Sequence, residues 1–513
     1  MSLRLSQLIL VIVACVCFSA QCLTTQAAAY DLRPTQDQQA NNERPTSAEG
    51  IAGTWSGMLN VGALQLQLVF NIEEEGEGKY TATMDSPDQG AKGIPVDSVT
   101  LEGREFALKI PGLTVEVSGT LSEDGSKLDC TFKQAGMSFP LVLERKAAEE
   151  RARPQMPQPP FEYEVREVEY DNPHAEGVKL AGTLTIPSGE GPFPAVVMVS
   201  GSGAQDRDET IFGHKPFWVI ADDLAKRGVA VLRFDDRGVG GSTGNPATAT
   251  TEDFATDALA GVEFLATQDK IDANHIGVMG HSEGGLIAPM VANQSEQVAF
   301  IILLAGPGVT GEEILITQTR DIILSMDPDA DTADSIETLR GYLRIIREGD
   351  DPAEIRKQAS AFAREMIEKE DDETLKESLN LGEELPEELD TREEWVDELV
   401  KQSAASLERL MSPWMDFFIP YDPRGALTQV KQPVLAVIGS KDTQVNPKVN
   451  LPEIEEALQA GGNADFVVKE LPGLNHLFQT SETGAPNEYG QIEETFSPDA
   501  LKLIGDWILE HCQ

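Results

Sequence analysis

The sequence predicts an α/β fold built on a parallel sheet, interrupted by a helical insertion and preceded by a small antiparallel all-β domain. Three observations lead there. From about Gly53 short strands of alternating polarity are broken by turns. From residue 161 apolar runs ending in glycine alternate with amphipathic helical stretches. Within that second region about a hundred consecutive residues read as helix alone. At 513 residues the chain exceeds one simple core, and 41% hydrophobic with 25% charged residues is a globular composition.

Residues 1–29 read as a signal peptide. Arg4 supplies the positive charge, Leu8 to Phe18 the apolar run and Ala27-Ala28-Ala29 a small-residue cleavage site. The run is short for a membrane span, and no later segment is long and apolar enough to be one. The expectation is export to the periplasm or the medium. Lipid attachment at Cys15 is the alternative, since Ile12-Val13-Ala14-Cys15 loosely fits a lipoprotein site. Residues 30–50 form a polar, flexible leader.

Residues 51–146 carry the β-rich domain. "ALQLQLVFNIEEEGEGKYTATM", "SVTLEGREFALKI" and "LTVEVSGTLSEDGSKLDCTF" give strands at regular spacing, with turns at Glu102-Gly103 and Asp124-Gly125. The pattern predicts a small barrel or sandwich. It holds no constellation of His, Cys or paired acids, so structural support or accessory binding is its expected role. A charged, Pro-rich linker follows over 147–160.

The first part of the α/β core spans 161–308. "VKLAGTLTIP", "FPAVVMVSGSG", "VAVLRFDDRGVGGSTG", "HIGVMGHS" and "VAFIILLAGPG" are its strands. "TEDFATDALAGVEFLATQ", capped by Thr251, and "GGLIAPMVANQ" are helices between them. Residues 309–425 form the insertion, an expected helical cap. Its stretch 311–410 carries 29 acidic against 12 basic residues. "PWMDFFIPYDP" in the cap gathers aromatics that either line a pocket or dock the insertion. The core resumes over 426–513 with "PVLAVIGSKD", a helix from Leu451, "DFVVKELPG" and a last helix.

The overall charge is −46, from 40 Lys and Arg against 86 Asp and Glu. Such a surface repels phosphate backbones and anionic membranes, which excludes a nucleic-acid role. Three of the five cysteines fall in the signal, leaving Cys130 and Cys512 far apart, with neither a disulfide framework nor a zinc site. "GVGGST" mimics a dinucleotide fingerprint, but Thr243 stands where the third glycine belongs. With no GxxxxGK[ST] loop and no HExxH, no cofactor and no metal are expected.

Gly280-His281-Ser282-Glu283-Gly284 fits G-x-S-x-G. Alone the motif is weak, but here it falls between a strand and a helix, the context of a nucleophile elbow. A serine nucleophile needs a histidine base and an orienting acid. Of the six histidines, His281 is too constrained beside the serine, and His174, His214, His275 and His511 lie in unsuitable places. His476 remains, on the loop after the last strand, at the sheet edge where sites in this architecture lie. Asp442, just past the preceding strand, falls on the same edge. The order Ser282, Asp442, His476 is that of α/β-hydrolases. The oxyanion amides are then those of Glu283 and of Ser202, with Gly203 the less favoured alternative. The run "DRDE", Asp206 to Glu209, either braces that loop or contacts substrate.

With "SGSGAQDRDE", "RFDDRGVGGSTG", "GHSEGG", "GSKDTQVNP" and "LPGLNHLFQ" in hand, the chain resembles the α/β-hydrolase superfamily over residues 162–513. More narrowly it resembles the secreted bacterial carboxylesterases of the EstD type, often labelled serine aminopeptidase-like hydrolases. The resemblance implies Ser282 as nucleophile, Asp442 as acid and His476 as base. It also implies a helical cap between the sixth and seventh strands. The expected activity is hydrolysis of small acyl esters through an acyl-enzyme, with a small-molecule ester as the only implied partner. Alternatives on the same triad are a serine peptidase or aminopeptidase, or an acyl-CoA thioesterase-like hydrolase. A secreted binding protein with a vestigial hydrolase domain is the non-enzyme alternative.

Overall fold

The structure is a computed structural model that describes residues 50–512 except 62–63, 77, 90, 135–136, 147–151 and 380–388. The expected signal peptide, the leader, Cys15 and the start of the linker lie outside the described residues. The chain divides into two compact units between residues 150 and 151.

The first unit is a closed antiparallel barrel of eight strands. These are β1 Gly53–Val61, β2 Leu64–Gly76, β3 Lys79–Ser86, β4 Ala91–Glu102, β5 Glu105–Ile110, β6 Val115–Leu121, β7 Lys127–Gln134 and β8 Met137–Glu144. Alternation sets which side chains point inward: Phe106, Leu108 and Ile110 of β5 are buried while Glu105 and Lys109 are exposed. Gly103 and Gly125 take positive φ (64° and 69°) at the two turns the sequence predicts. Trp55, Phe70, Phe106 and Phe132 are fully buried in this unit, the kind of side chains that fill the interior of an eight-stranded barrel. The Trp55 indole donates to the Ile51 carbonyl at 2.7 Å, and the Arg145 guanidinium lies 4.5 Å over its ring.

The second unit is an eight-stranded sheet in the order β16-β15-β14-β13-β11-β12-β10-β9. Its strands are β9 Glu164–Asp171, β10 Lys179–Ile186, β11 Phe193–Val199, β12 Ala230–Phe234, β13 Ile271–His281, β14 Val298–Leu304, β15 Val434–Gly439 and β16 Phe466–Leu471. The six from β11 onward are parallel, whereas β10 runs against them, pairing antiparallel with β12 on one side and with β9 on the other. The sheet is therefore mixed, where the pattern predicts an all-parallel one. β9 is half polar ("EVREVEYD") and sits at the edge, so its sequence lacks the apolar run that marks the central strands. A short connection suffices to join it to β10, because antiparallel neighbours need no crossover helix.

The central strands are buried on both faces. Helices Thr251–Ala266, Gly284–Gln294 and Pro447–Ala460 cover one face through Leu259, Ile287 and Ile454. Helices Pro216–Lys226 and Pro498–His511 cover the other through Ile220, Leu224 and Ile504. The first of these helices is capped by Thr250 in a capping box with Asp253, one residue before the Thr251 expected. Thr251 is instead fully buried. β13 begins at Ile271, so His275 lies inside that strand rather than before it, with its Nδ1 2.9 Å from Asp272.

Between β14 and β15 the described chain runs as successive helices joined by short turns, from Gly311 to Leu427, and the insertion is this cap. In Pro352–Ile367 the residues Ile355, Ala359, Ala363 and Ile367, one turn apart, are buried and the rest is mostly polar. The acidic excess lies on such outward faces. A mixed sheet flanked by helices, with a serine elbow at the end of β13 and a helical cap after β14, is the α/β-hydrolase fold the sequence predicts, preceded by the antiparallel barrel. No helix among the described residues is long and apolar enough to cross a membrane.

Part of the expected linker is fastened to the second unit. Arg153 donates to the carbonyls of Phe212, Gly490 and Ile492, and Gln155 to that of Phe496.

Candidate active site

β13 ends at His281, the next helix begins at Gly284, and Ser282 stands in the turn between them with φ of 52°. That left-handed conformation is strained for a residue with a side chain. The neighbouring glycines are required by contact: a Cβ on Gly280 would run into the Gly284 carbonyl, and one on Gly284 into the Val199 carbonyl. The Ser282 amide donates to Leu304 O at 2.8 Å, pinning the turn to the end of β14.

Asp442 follows β15 and His476 follows β16, and both are buried. His476 Nδ1 lies 2.8 Å from Asp442 Oδ2. Asp442 Oδ1 accepts the amides of Gln444 and Val445, each at 2.8 Å, so the carboxylate cannot swing away. Asn475 fixes the histidine loop by accepting the amides of Leu477 and Gln479. Phe478, two residues past His476, also has a positive φ of 59°.

Ser202, Ser282, Glu283 and His476 line one cavity. Its walls are largely apolar: Pro307, Ile314, Leu315, Trp414, Phe418, Val445 and Leu477. It receives no Lys or Arg side chain among the described residues. The loop after β11 runs close beside the serine, since a Cβ placed on Gly201 would lie 3.2 Å from the Ser282 Cβ. The backbone amides of Ser202 and Glu283 have no protein acceptor among the described residues. Gly203 is placed differently, lining a second, smaller cavity with Asp236 and Glu283.

Two carboxylates reach the cavity. Glu283 is buried, and its Oε1 accepts from Thr251 Oγ1 at 2.7 Å and from the Trp414 indole at 2.6 Å. Burial raises its pKa, against the lowering effect of hydrogen bonds from Trp414, Thr251 and Ser202. The cap aromatics thus do both things the sequence left open, since Trp414 and Phe418 line the cavity and Trp414 docks the cap. Glu209 is the second carboxylate. It belongs to "DRDE", whose members brace the loop: Asp206 accepts from the Thr210 amide and hydroxyl, Arg207 pairs with Asp235 and Glu167, and Asp208 with Lys215 and Arg233.

His281 has both ring nitrogens engaged by protein groups. Its Nδ1 lies 2.9 Å from Glu209 Oε1 and its Nε2 3.0 Å from the His476 carbonyl oxygen. His214 is buried among Thr495 and Tyr489, while His174 and His511 bond to Glu263 and the Trp507 carbonyl. The Glu209–His281 and Trp414–Glu283 pairs were not legible in the sequence. Their partners are 72 and 131 positions apart, and no local pattern announces such contacts. Among the described residues no group of three or more His, Cys, Asp or Glu side chains could hold a metal ion.

The profile of the X-Pro dipeptidyl-peptidase (S15) family matches residues 176–451. The chain belongs to that family. The stretch matched to the S15 family contains Ser202, Ser282, Glu283 and Asp442 and ends before His476. Among relatives, esterase EstD of Thermotoga maritima is 39% identical over 142 residues, which are 28% of this chain and 34% of EstD. An uncharacterized protein of Mycobacterium tuberculosis is 32% identical over 127 residues, 25% of this chain and 41% of its own length. The chain thus spans well under half the length of these relatives. Similar solved structures include Pyrococcus furiosus esterase Pf2001, at 15% identity and a TM-score of 0.37, covering 71% of this chain and 99% of that one. The dienelactone hydrolase of Anabaena variabilis is also 15% identical, with a TM-score of 0.34 and 68% and 98% coverage. Likenesses of this size say nothing about substrate.

Proposed function

We propose that this S15-family chain is a serine carboxylesterase that hydrolyses small acyl esters through an acyl-enzyme. The observation that carries the reading is one apolar cavity shared by a strained serine and a histidine backed by a fixed carboxylate. Ser282 attacks the ester carbonyl while His476 takes its proton. Asp442 holds the Nδ1–H of His476, which leaves Nε2 free to accept, and favours the imidazolium as it forms. The amides of Ser202 and Glu283 stabilise the oxyanion. His476 then protonates the leaving alcohol, and water repeats the sequence on the acyl-enzyme. A cavity walled by Ile314, Leu315, Trp414 and Phe418, without Lys or Arg, suits an uncharged acyl chain. The test is hydrolysis of p-nitrophenyl acetate and butyrate by the wild type and Ser282→Ala. The variant should lose about 10⁴-fold or more in kcat, and normal turnover by it would overturn the assignment.

The family match favours a second reading, cleavage of peptides after an X-Pro pair on the same residues. The carboxylates of Glu209 and Glu283 in the cavity are compatible with a substrate amino group, although both are already engaged by protein donors. X-Pro-p-nitroanilides turned over faster than simple p-nitrophenyl esters would establish the peptidase. The proposed export is tested separately by locating the mature chain in cell fractions.

A further inference from the structure

We propose that Glu209 and His281 act as one positioning unit that holds the oxyanion loop and the His476 loop in register with Ser282. The inference rests on the serine-hydrolase reading above and concerns two residues that take no part in its proton transfers.

A single oxygen makes the connection. Glu209 Oε1 accepts the Gly201 amide at 2.7 Å and lies 2.9 Å from His281 Nδ1. The Gly201 amide is adjacent to Ser202, whose own amide is the proposed oxyanion donor. On the other side of the imidazole, Nε2 meets the His476 carbonyl at 3.0 Å. A carbonyl can only accept, so Nε2 carries a hydrogen and the contact fixes the peptide of the proposed base. Three backbone positions are thereby joined: Gly201 beside one oxyanion donor, His281 directly before the nucleophile, and His476. No other side chains among the described residues link all three.

Two further observations distinguish this pair from packing. Glu209 is a non-glycine residue at φ of 51°, a strained conformation that persists only where its surroundings demand it. Ser282 and Phe478 share this conformation, as do Phe212 and Ala305 in the same unit. The pair is also deeply buried, with side-chain exposures of 7% for His281 and 6% for Glu209. A buried ionisable pair contributes little net stability compared with apolar residues of similar size. Fold stability alone therefore gives little reason for Glu and His at these two positions.

The experiment is steady-state hydrolysis of p-nitrophenyl acetate by the full chain, with thermal melting of each variant. Glu209→Ala and His281→Phe should each lower kcat about 10–100-fold with KM within about twofold, the signature of an interaction needed in the transition state. His281→Gln keeps a donor for the His476 carbonyl and should recover about tenfold over His281→Phe. The double variant Glu209→Ala/His281→Phe should be no slower than the worse single, because the two act as a unit. If either truncation fails to fold, Glu209→Gln and His281→Gln carry the test, with a smaller kcat loss and the same lack of additivity. Unchanged kcat, a loss confined to KM, or losses that multiply in the double would overturn the proposal. Ser282→Ala separates the two levels: full turnover by it defeats the hydrolase reading. An inert Ser282→Ala with wild-type kcat in the pair variants defeats the positioning inference alone.

Discussion

The Trp414 indole donates to Glu283 Oε1 at 2.6 Å, so a side chain of the cap is tied to the residue that follows Ser282. Because the same glutamate accepts from Thr251 Oγ1, it joins the cap to a core helix. Trp414→Phe keeps the ring and removes the donor. Losing a hydrogen bond of about 1–2 kcal/mol should lower kcat/KM about 5–30-fold, and steady-state kinetics on short and longer acyl esters will read it. Unchanged kcat/KM would mean that the cap is seated by packing alone.

Ser282 is held at φ of 52°, a conformation that glycine adopts without strain. Ser282→Gly should therefore be inactive yet as stable as the wild type or more so, by about 1 kcal/mol. A thermal melt of the two proteins decides it. A clear fall in melting temperature would show that the serine conformation costs nothing.

Gly280 has no room for a side chain, since a Cβ there would meet the backbone of Gly284 and Gly285. Gly280→Ala should spread the elbow, lower the melting temperature and abolish labelling of Ser282 by a fluorophosphonate probe. Wild-type labelling of this variant would contradict the crowding the backbone shows.

Burial pulls the His281 pKa down, but the charge and hydrogen bond of Glu209, the His476 carbonyl and the Asp442 charge outweigh it. The net result lies above the ordinary imidazole value. A raised folded pKa means the folded state holds the proton more tightly than the unfolded chain. The resulting stabilisation is complete below about pH 6.5 and is lost as pH rises through the higher folded value. The melting-temperature gap between the wild type and His281→Gln should therefore be widest near about pH 6 and narrow toward about pH 9. A gap that is constant or widens with pH would count against the charged pair.

Much of this molecule is written locally. Alternation in residues 51–146 sets an antiparallel barrel because side chains on a strand change face at each step. Apolar runs ending in glycine mark the buried strands of the core. The motif around Ser282, and the placement of Asp442 and His476 just past successive strands, follow from strand ends alone. β9 was not legible, because an edge strand exposed on one side needs no continuous apolar run.

What the sequence by itself determined is the class of fold and the three residues that stand at one edge of the sheet. Only the tertiary structure decided which side chains surround them. It brought Asp442 to 2.8 Å from His476, Trp414 from the cap onto Glu283, and Glu209 onto His281. Periodicity and turn chemistry act within a few residues, whereas these contacts join groups separated by 34, 131 and 72 positions. They exist because the buried donors and acceptors of separate loops must satisfy one another once the sheet has brought them together.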